Sequence, residues 1–345
     1  MKEIMVILTG GTIGSQIADE SHQIVRGEKD IAGQLLSDWM DTEAFSVYQP
    51  VNLLSENETP EIWRQVSEFI HRQYEKKAWD AVLITHGSDT LPYFAAAMGI
   101  MCGDMPVPVV ITAANYSLED SRSNGYENVR GCMEYILSSP EAGTVVVYQN
   151  PGEKTKIYDA FQLKEADHEK DCFSAYGDCY GSICDGEVTV CAKLKSRLDR
   201  QRENYEMIRK MFLNKKGLSD GRKDDGDRNG GRSGGRNVLC LRPVPGLDYD
   251  SFVIDETKIG ALLHDTYHSG TACTAGKEEN LLCFLETLQK KNIPLFLTGL
   301  KSNVDNQYET TVKLIEQGAC VLWDSTFETS YVLLVLAVNS YLMLT

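Results

Sequence analysis

The chain has 345 residues, with 34 Lys+Arg against 50 Asp+Glu, for a formal charge of −16. That length leaves room for about two domains and for cores that bury around three quarters of the unfolded surface. The charge excludes a general nucleic-acid or anionic-membrane binder, which needs a basic face, and 42% hydrophobic against 24% charged residues excludes wholesale disorder.

In chain order, the N-terminus opens Met1-Lys2-Glu3 and then runs apolar from Ile4 to Leu8. A secretory apolar region needs about 7–15 residues, so this run reads as a strand. Further strand-like runs follow at Ala81–Thr85, Val107–Ala113, Thr144–Tyr148, Val238–Arg242, Ile293–Thr298 and Ala319–Trp323. Most are apolar on consecutive residues, which suits strands covered on both faces in a parallel sheet with helical crossovers. Thr59-Pro60-Glu61 opens a helix, with Thr59 placed to cap, Pro60 at the first helical position and Glu61 at the positive end of the dipole. Trp63, Val66, Phe69 and Ile70 continue it at helical spacing. Leu281–Leu288 and Tyr308–Glu316 read as two more helices. Tyr331–Leu344, interrupted by Asn339 and Ser340, reads as a buried C-terminal helix, shorter than the ~20 residues that span a bilayer.

This alternation predicts an α/β fold: a larger N-terminal, doubly wound, mainly parallel sheet domain over 1–195 and a smaller C-terminal α/β domain over 237–345. Between them, residues 196–236 hold twelve basic and seven acidic side chains, with seven glycines inside 217–235. That composition predicts a charged, glycine-rich flexible linker. The ten cysteines form no CxxC pair, and several, such as Cys240 and Cys283, sit in apolar runs. They read as reduced, mostly buried thiols of a cytoplasmic protein; Cys172, Cys179 and Cys184 lack metal-ligand spacing.

Two motifs carry chemistry. Thr9-Gly10-Gly11-Thr12-Ile13-Gly14 follows the first strand directly. A strand ending in Gly-Gly turns tightly and lets the backbone approach a ligand, which places Thr12 at the carboxyl edge of the sheet. The glycine spacing is not GxGxxG and no P-loop lysine follows, so a nucleotide site is disfavoured. Thr85-His86-Gly87-Ser88-Asp89-Thr90 follows the strand Ala81–Thr85 in the same way. Hydroxyl nucleophiles need an activating base or cation, and Asp89 with a lysine can serve. The alternative for each motif alone is a capped helix start. His86, just after a buried strand, reads as a packed, hydrogen-bonded histidine, and Asp120 with Arg122 as a structural ion pair.

The two motifs together resemble the bacterial-type L-asparaginases, a family that includes asparaginase–glutaminases and related amidohydrolases. The resemblance extends to Tyr48–Pro60, to Ala113-Ala114-Asn115-Tyr116 through Gly125, to Tyr267–Ala272 and to Asp324–Glu328. Residues 160–236 lie outside it.

The resemblance implies a cytoplasmic enzyme that hydrolyses L-asparagine to L-aspartate and ammonia, with neither cofactor nor metal. Thr12 corresponds to the nucleophile that forms the acyl-enzyme and Ser88 to the second catalytic hydroxyl. Asp89 corresponds to a residue that binds the α-ammonium and orients the hydroxyls. Lys156, after Thr155, is the best match to the catalytic lysine, with Lys154 and Lys164 as alternatives. Ser55 and Glu56 match positions that hold the α-carboxylate and α-amine. Glu328 resembles an acidic residue that reaches a neighbouring subunit's site, which implies a homodimer or homotetramer.

The chain departs from the family pattern in four places, two of them a longer, more charged region from Ile157 to Ser174 and a longer glycine-rich linker. Ser88 stands where a threonine is usual and loses the methyl that restricts its rotamer. Residues 15–26 hold no tyrosine for the lid, and His22 falls in its place. Two other readings remain: a glutaminase-leaning or other amidohydrolase of the family, and a non-catalytic asparagine/aspartate sensor. A tRNA-linked amidotransferase component is disfavoured by the negative charge and by the lack of a further domain before the first strand.

Overall fold

The first half of the chain alternates strand and helix as the apolar runs predict. It contains β1 (Glu3–Leu8), an antiparallel pair of β2 (Ser15–Ile17) and β3 (Ile24–Arg26), β4 (Ala44–Tyr48), α1 (Pro60–Lys76) and β5 (Ala81–Thr85). There follow α2 (Leu91–Met101), β6 (Pro108–Thr112), α3 (Gly125–Leu137) and β7 (Gly143–Tyr148). Five strands come next: β8 (Thr155–Asp159), β9 (Leu163–Asp167), β10 (Cys172–Ala175), β11 (Gly181–Cys184) and β12 (Glu187–Val190). The computed structural model describes residues 1–17, 24–26, 35–39, 41–191, 194–213, 236–276, 280–302 and 306–339. It divides into two units, Met1–Arg200 and Gln201–Thr345.

The large sheet of the first unit has the order β12-β11-β8-β7-β6-β5-β1-β4. From β4 to β7 all neighbours are parallel, and from β7 to β12 they are antiparallel. Every residue of β5 and β6 is buried, as expected of strands covered by helices on both faces. The helix α2 is apolar all round and almost wholly buried, and it packs on β7, β9 and α1. In α1, Trp63, Val66 and Ile70 form the buried stripe, and Phe69 meets Tyr48 edge-on at 5.3 Å. Pro60 opens α1 as expected. Thr59 holds the N-cap position without a side-chain capping bond, so the fixed φ of Pro60 and the Glu61–Arg64 pair start this helix instead.

Sequence periodicity missed the antiparallel extension. Its outer strands are short and partly exposed, β11 reading Gly-Ser-Ile-Cys and β12 Glu-Val-Thr-Val, and the charged β9, Leu-Lys-Glu-Ala-Asp, pairs with β10 in a separate two-stranded sheet. A helix, α4 (Leu194–Leu213), also occupies the start of the segment expected to be a linker and contains the point of division between the units. It holds neither glycine nor proline, and Gln201, Tyr205, Ile208 and Phe212 are buried at spacings of four, three and four. Composition averaged over 196–236 obscured that stripe. The glycine-rich part, 214–235, lies outside the described residues.

The second unit runs β13 (Asn237–Leu241), β14 (Ile259–His264), α5 (Leu281–Lys290), β15 (Leu295–Leu297), α6 (Glu309–Glu316), β16 (Cys320–Val321) and α7 (Phe327–Val338). Its strands form one parallel sheet in sequence order. Asn280 caps α5 by accepting from the Leu282 and Cys283 amides. His264 ends β14 fully buried, its Nε2 2.8 Å from the Tyr249 hydroxyl. Burial lowers its pKa to about 4. The apolar C-terminal segment is helical through Val338, and residues beyond 339 lie outside the described part.

Candidate active site

Three loops converge at the carboxyl ends of β1 and β5. The Leu53 amide donates to Thr9 O and the Gly11 amide to Leu53 O, which stitches the first glycine turn to the segment before Ser55. Gly10 and Gly11 have φ of +101° and +76°, the left-handed region that glycine enters without strain. Both are also sterically required. A Cβ on Gly10 would stand 2.8 Å from the Leu53 nitrogen, and one on Gly11 would stand 2.5 Å from the Gly87 nitrogen. A Cβ on Gly87 would overlap the Ser55 side chain. The two motif loops therefore touch backbone to backbone, and Thr12 and Ser88 each lie one residue beyond the contact.

Thr12 begins a single 3-10 turn, Thr12–Gly14, and is half-buried, as is Ser88. Asp89 is exposed, Ser55 is buried, and Glu56 is exposed on the same turn, Ser55–Asn57. Helix capping does not account for Ser88 and Asp89. The N-cap of α2 is Thr90, and its hydroxyl donates to Ser55 O at 3.2 Å instead of capping the helix. The Gly11 and His86 amides are engaged, with Leu53 O and Thr112 O respectively. Any oxyanion donor from these loops is thus an amide beyond them.

Behind the second loop lies a buried polar chain. Thr9 Oγ1 donates to Thr85 O at 3.0 Å and lies 2.7 Å from His86 Nδ1. His86 Nε2 faces Thr90 Oγ1 at 3.3 Å and Glu58 Oε1 at 3.4 Å. The ring stacks on Phe94 with centroids 4.0 Å apart. The sequence reading of His86 as packed and bonded agrees with this. Glu58 escaped that reading: it stands next to the cap of α1, and nothing in the pattern signals that its side chain is 3% exposed.

Lys156 lies on β8 opposite Tyr148, at the carboxyl end of β7. Three strand spacings separate β8 from β5, about 14 Å. Its ammonium pairs with Glu153 at 2.5 Å, and this hydrogen bond lowers the pKa of the Glu153 carboxyl. Lys156, Glu153, Asp167, Lys170, Cys172 and Cys179 line a cavity of 490 Å³ between β8 and the β9–β10 pair. Asn150 braces it, donating to Phe173 O and accepting from Phe173 N, both at 2.9 Å. Lys154 is exposed before β8, and Lys164 is exposed on β9. Glu328 belongs to the other unit, buried in the first turn of α7. His22 lies outside the described residues.

Asp120 and Arg122 form an ion pair at 2.7 Å, with the guanidinium 4.1 Å above the Tyr116 ring. Asn115 and Asn124 each accept the other's amide, fixing the loop after β6. Cys102 and Cys132 are buried while Cys184, Cys191 and Cys273 are exposed, so burial is less general than the apolar runs indicated. Among the described residues no group of three His, Cys, Asp or Glu is arranged to hold a metal ion, and no helix is long and apolar enough to cross a membrane.

Fold and site together define a doubly wound α/β protein whose candidate chemistry sits at the carboxyl edge of its parallel strands, where such sheets bind ligands. The chain belongs to the asparaginase family: the family profile "Asparaginase, N-terminal" matches residues 3–194. L-asparaginase 1 of Escherichia coli K12 is 29% identical over 152 residues, a stretch that spans 43% of this chain and 44% of that protein. A glutamyl-tRNA(Gln) amidotransferase component from Methanosphaera stadtmanae is 22% identical, with 96% of this chain and 70% of that protein covered. The thermostable L-asparaginase from Thermococcus kodakarensis shares the fold, with a TM-score of 0.70 at 19% identity over 98% of this chain and 93% of that one.

Proposed function

We propose that this chain hydrolyses L-asparagine to L-aspartate and ammonia. The observation that carries the reading is the Gly11–Gly87 contact, which sets Thr12 beside the Ser88–Asp89 loop and Ser55 beneath it. Thr12 Oγ attacks the side-chain amide carbon. Its proton passes through Ser88 to a base, and the C–N bond breaks as nitrogen takes a proton and leaves as ammonia. Water then cleaves the Thr12 ester, releasing aspartate and restoring the hydroxyl. Asp89 and Glu56 hold the α-ammonium, and Ser55 the α-carboxylate. Lys156 supplies the cation or base once it parts from Glu153. Glu328 of a second copy completes the site in a homodimer or homotetramer, and His22 takes the place of a lid residue. The cysteine usage, without a CxxC pair and with several thiols in apolar runs, supports a reducing, cytoplasmic compartment.

A second reading follows from the amidotransferase relative, which is matched along nearly the whole of this chain: a component that passes ammonia to a partner. The charge of −16 opposes binding of a polyanionic tRNA by this chain itself. Ammonia release from L-asparagine and L-glutamine, compared between wild type and Thr12→Ala, tests these readings. Release from asparagine that vanishes in the variant supports the first. Preference for glutamine moves the substrate. Tight amino-acid binding without release, unaffected by Thr12→Ala, makes the chain a sensor and overturns the enzyme.

A further inference from the structure

The buried chain behind the Ser88–Asp89 loop raises a question of proton positions. At one end Thr9 Oγ1 donates to Thr85 O, and at the other Thr90 Oγ1 donates to Ser55 O. Both hydroxyls then present only lone pairs to the His86 ring. Nδ1, 2.7 Å from Thr9 Oγ1, must carry a proton to make that bond. At Nε2 the neighbours are Thr90 Oγ1, whose proton points away, and Glu58 Oε1 at 3.4 Å. The Glu58 oxygen is buried without a hydrogen-bond partner. A neutral ring protonated on Nδ1 beside a bare carboxylate would set two lone pairs against each other and bury an uncompensated charge, a costly arrangement.

We propose that Glu58 is a positioning residue for the loop that carries Ser88 and Asp89: its buried carboxyl and His86 Nε2 share a single proton, and this net-neutral pair locks the His86 ring between Thr9 and Thr90. The proton sits on the ring as an imidazolium facing a carboxylate, or on the carboxyl facing Nε2. In both forms Nδ1 is protonated and the pair is neutral as a whole. The lock ties three segments together. Thr9 follows β1, Thr90 is the N-cap of α2 and reaches Ser55, and Glu58 precedes α1. From β6 the ring's residue receives a backbone contact, Thr112 O accepting its amide. Phe94 of α2 covers one ring face, so water has no access from that side. Glu58 is the ion-pair partner of the ring among the described residues; the other carboxylates of these segments, Glu56 and Asp89, are exposed.

The consequence for catalysis rests on the amidohydrolase reading, but the proton position does not. In ¹⁵N-histidine-labelled protein, the His86 ring is identified by loss of its signal in His86→Gln or by its proximity to the Phe94 ring. The expected spectrum at neutral pH has a protonated Nδ1. A bare Nδ1 with the proton on Nε2 alone overturns the proposal, whether or not the protein releases ammonia. The second arm compares kcat and KM of wild type and Glu58→Met, both checked for cooperative thermal unfolding. Glu58→Met is expected to lower kcat roughly tenfold through a less ordered loop, with KM nearly unchanged. A Glu58→Met enzyme with the wild-type kcat overturns the positioning role. If wild type acts on neither amide, the functional reading fails while the NMR arm still tests the Nδ1 proton that the pair requires.

Discussion

Gly11 and Gly87 meet with no room for a side chain on either. A Cβ on Gly11 would lie 2.5 Å from the Gly87 nitrogen and 2.9 Å from the His86 carbonyl carbon. The contact couples the ends of two strands that are already neighbours, β1 and β5, and so brings together two short loops that each deliver a hydroxyl.

Replacing either glycine therefore has a steric cost beyond its backbone cost. Gly11→Ala is expected to destabilise the protein by about 2–4 kcal/mol, combining overpacking with a left-handed alanine. Gly152→Ala is the control: its φ of +73° is similar, but nothing lies within 4 Å of the added Cβ. That variant should lose only about 1 kcal/mol. Urea midpoints for the two variants separate the effects, and equal losses would mean that the loops do not pack as described.

Much of this arrangement was legible in the residues themselves. The runs Ala81–Thr85 and Thr144–Tyr148 give their strands because burial on both faces needs consecutive apolar residues. The Gly-Gly and His-Gly-Ser-Asp motifs mark the strand ends that converge. Three features were not legible. Strands β8 to β12 are four or five residues long and only partly buried, and β8, β9 and β12 carry charges, so they resemble loops. The helix α4 hides in a charged window that becomes glycine-rich only after its end. Glu58 looks like a surface residue beside Pro60, and its burial follows from how the Ser55 turn folds under α2, a tertiary effect without a local pattern.

Lys156 was one of three lysines matched to a catalytic role, and the fold gives them different surroundings. Lys156 lies at the sheet's carboxyl edge beside a cavity, whereas Lys154 and Lys164 are exposed. Lys156→Met is expected to reduce ammonia release by about 10²-fold or more, the usual range for a lost acid–base group. Lys154→Met and Lys164→Met should stay near wild type. Glu153→Gln removes the partner that holds the Lys156 ammonium and should leave kcat at or above wild type. A large loss in Lys164→Met with none in Lys156→Met would move the assignment.

Asp159 gives the first unit a pH dependence opposite to the usual behaviour of carboxylates. It is buried at the end of β8, accepting from the Phe161 amide at 2.8 Å, with Arg197 at 3.7 Å. Burial raises its pKa to about 6, outweighing the Phe161 amide and Arg197, which lower it. The folded chain thus keeps a proton that the unfolded chain releases. Stability falls as pH rises from the unfolded value near 3.8 towards about 6, by an amount on the order of 3 kcal/mol. Asp159→Asn keeps an acceptor for the Phe161 amide and should remove this decline. Urea midpoints over that pH window, wild type minus variant, read the difference directly; a flat difference would show that Asp159 titrates alike in both states.

His264 acts in the second unit with the opposite sign. Its ring is buried against Tyr249, and burial lowers its pKa from 6.5 to about 4. The unfolded chain binds a proton at this histidine where the folded chain does not. The neutral ring's contribution is complete above the unfolded value and is lost as pH falls from 6.5 towards about 4. Hydrogen exchange localises the effect, because His264 closes β14 and its neighbours Ala261, Leu262 and Leu263 are buried in that strand. Their amide protection should weaken across this window in wild type. In His264→Gln the change should be smaller, although protection at neutral pH is lower because the bond to Tyr249 has changed. An equal acid-induced loss in both proteins would assign the acid sensitivity to another group.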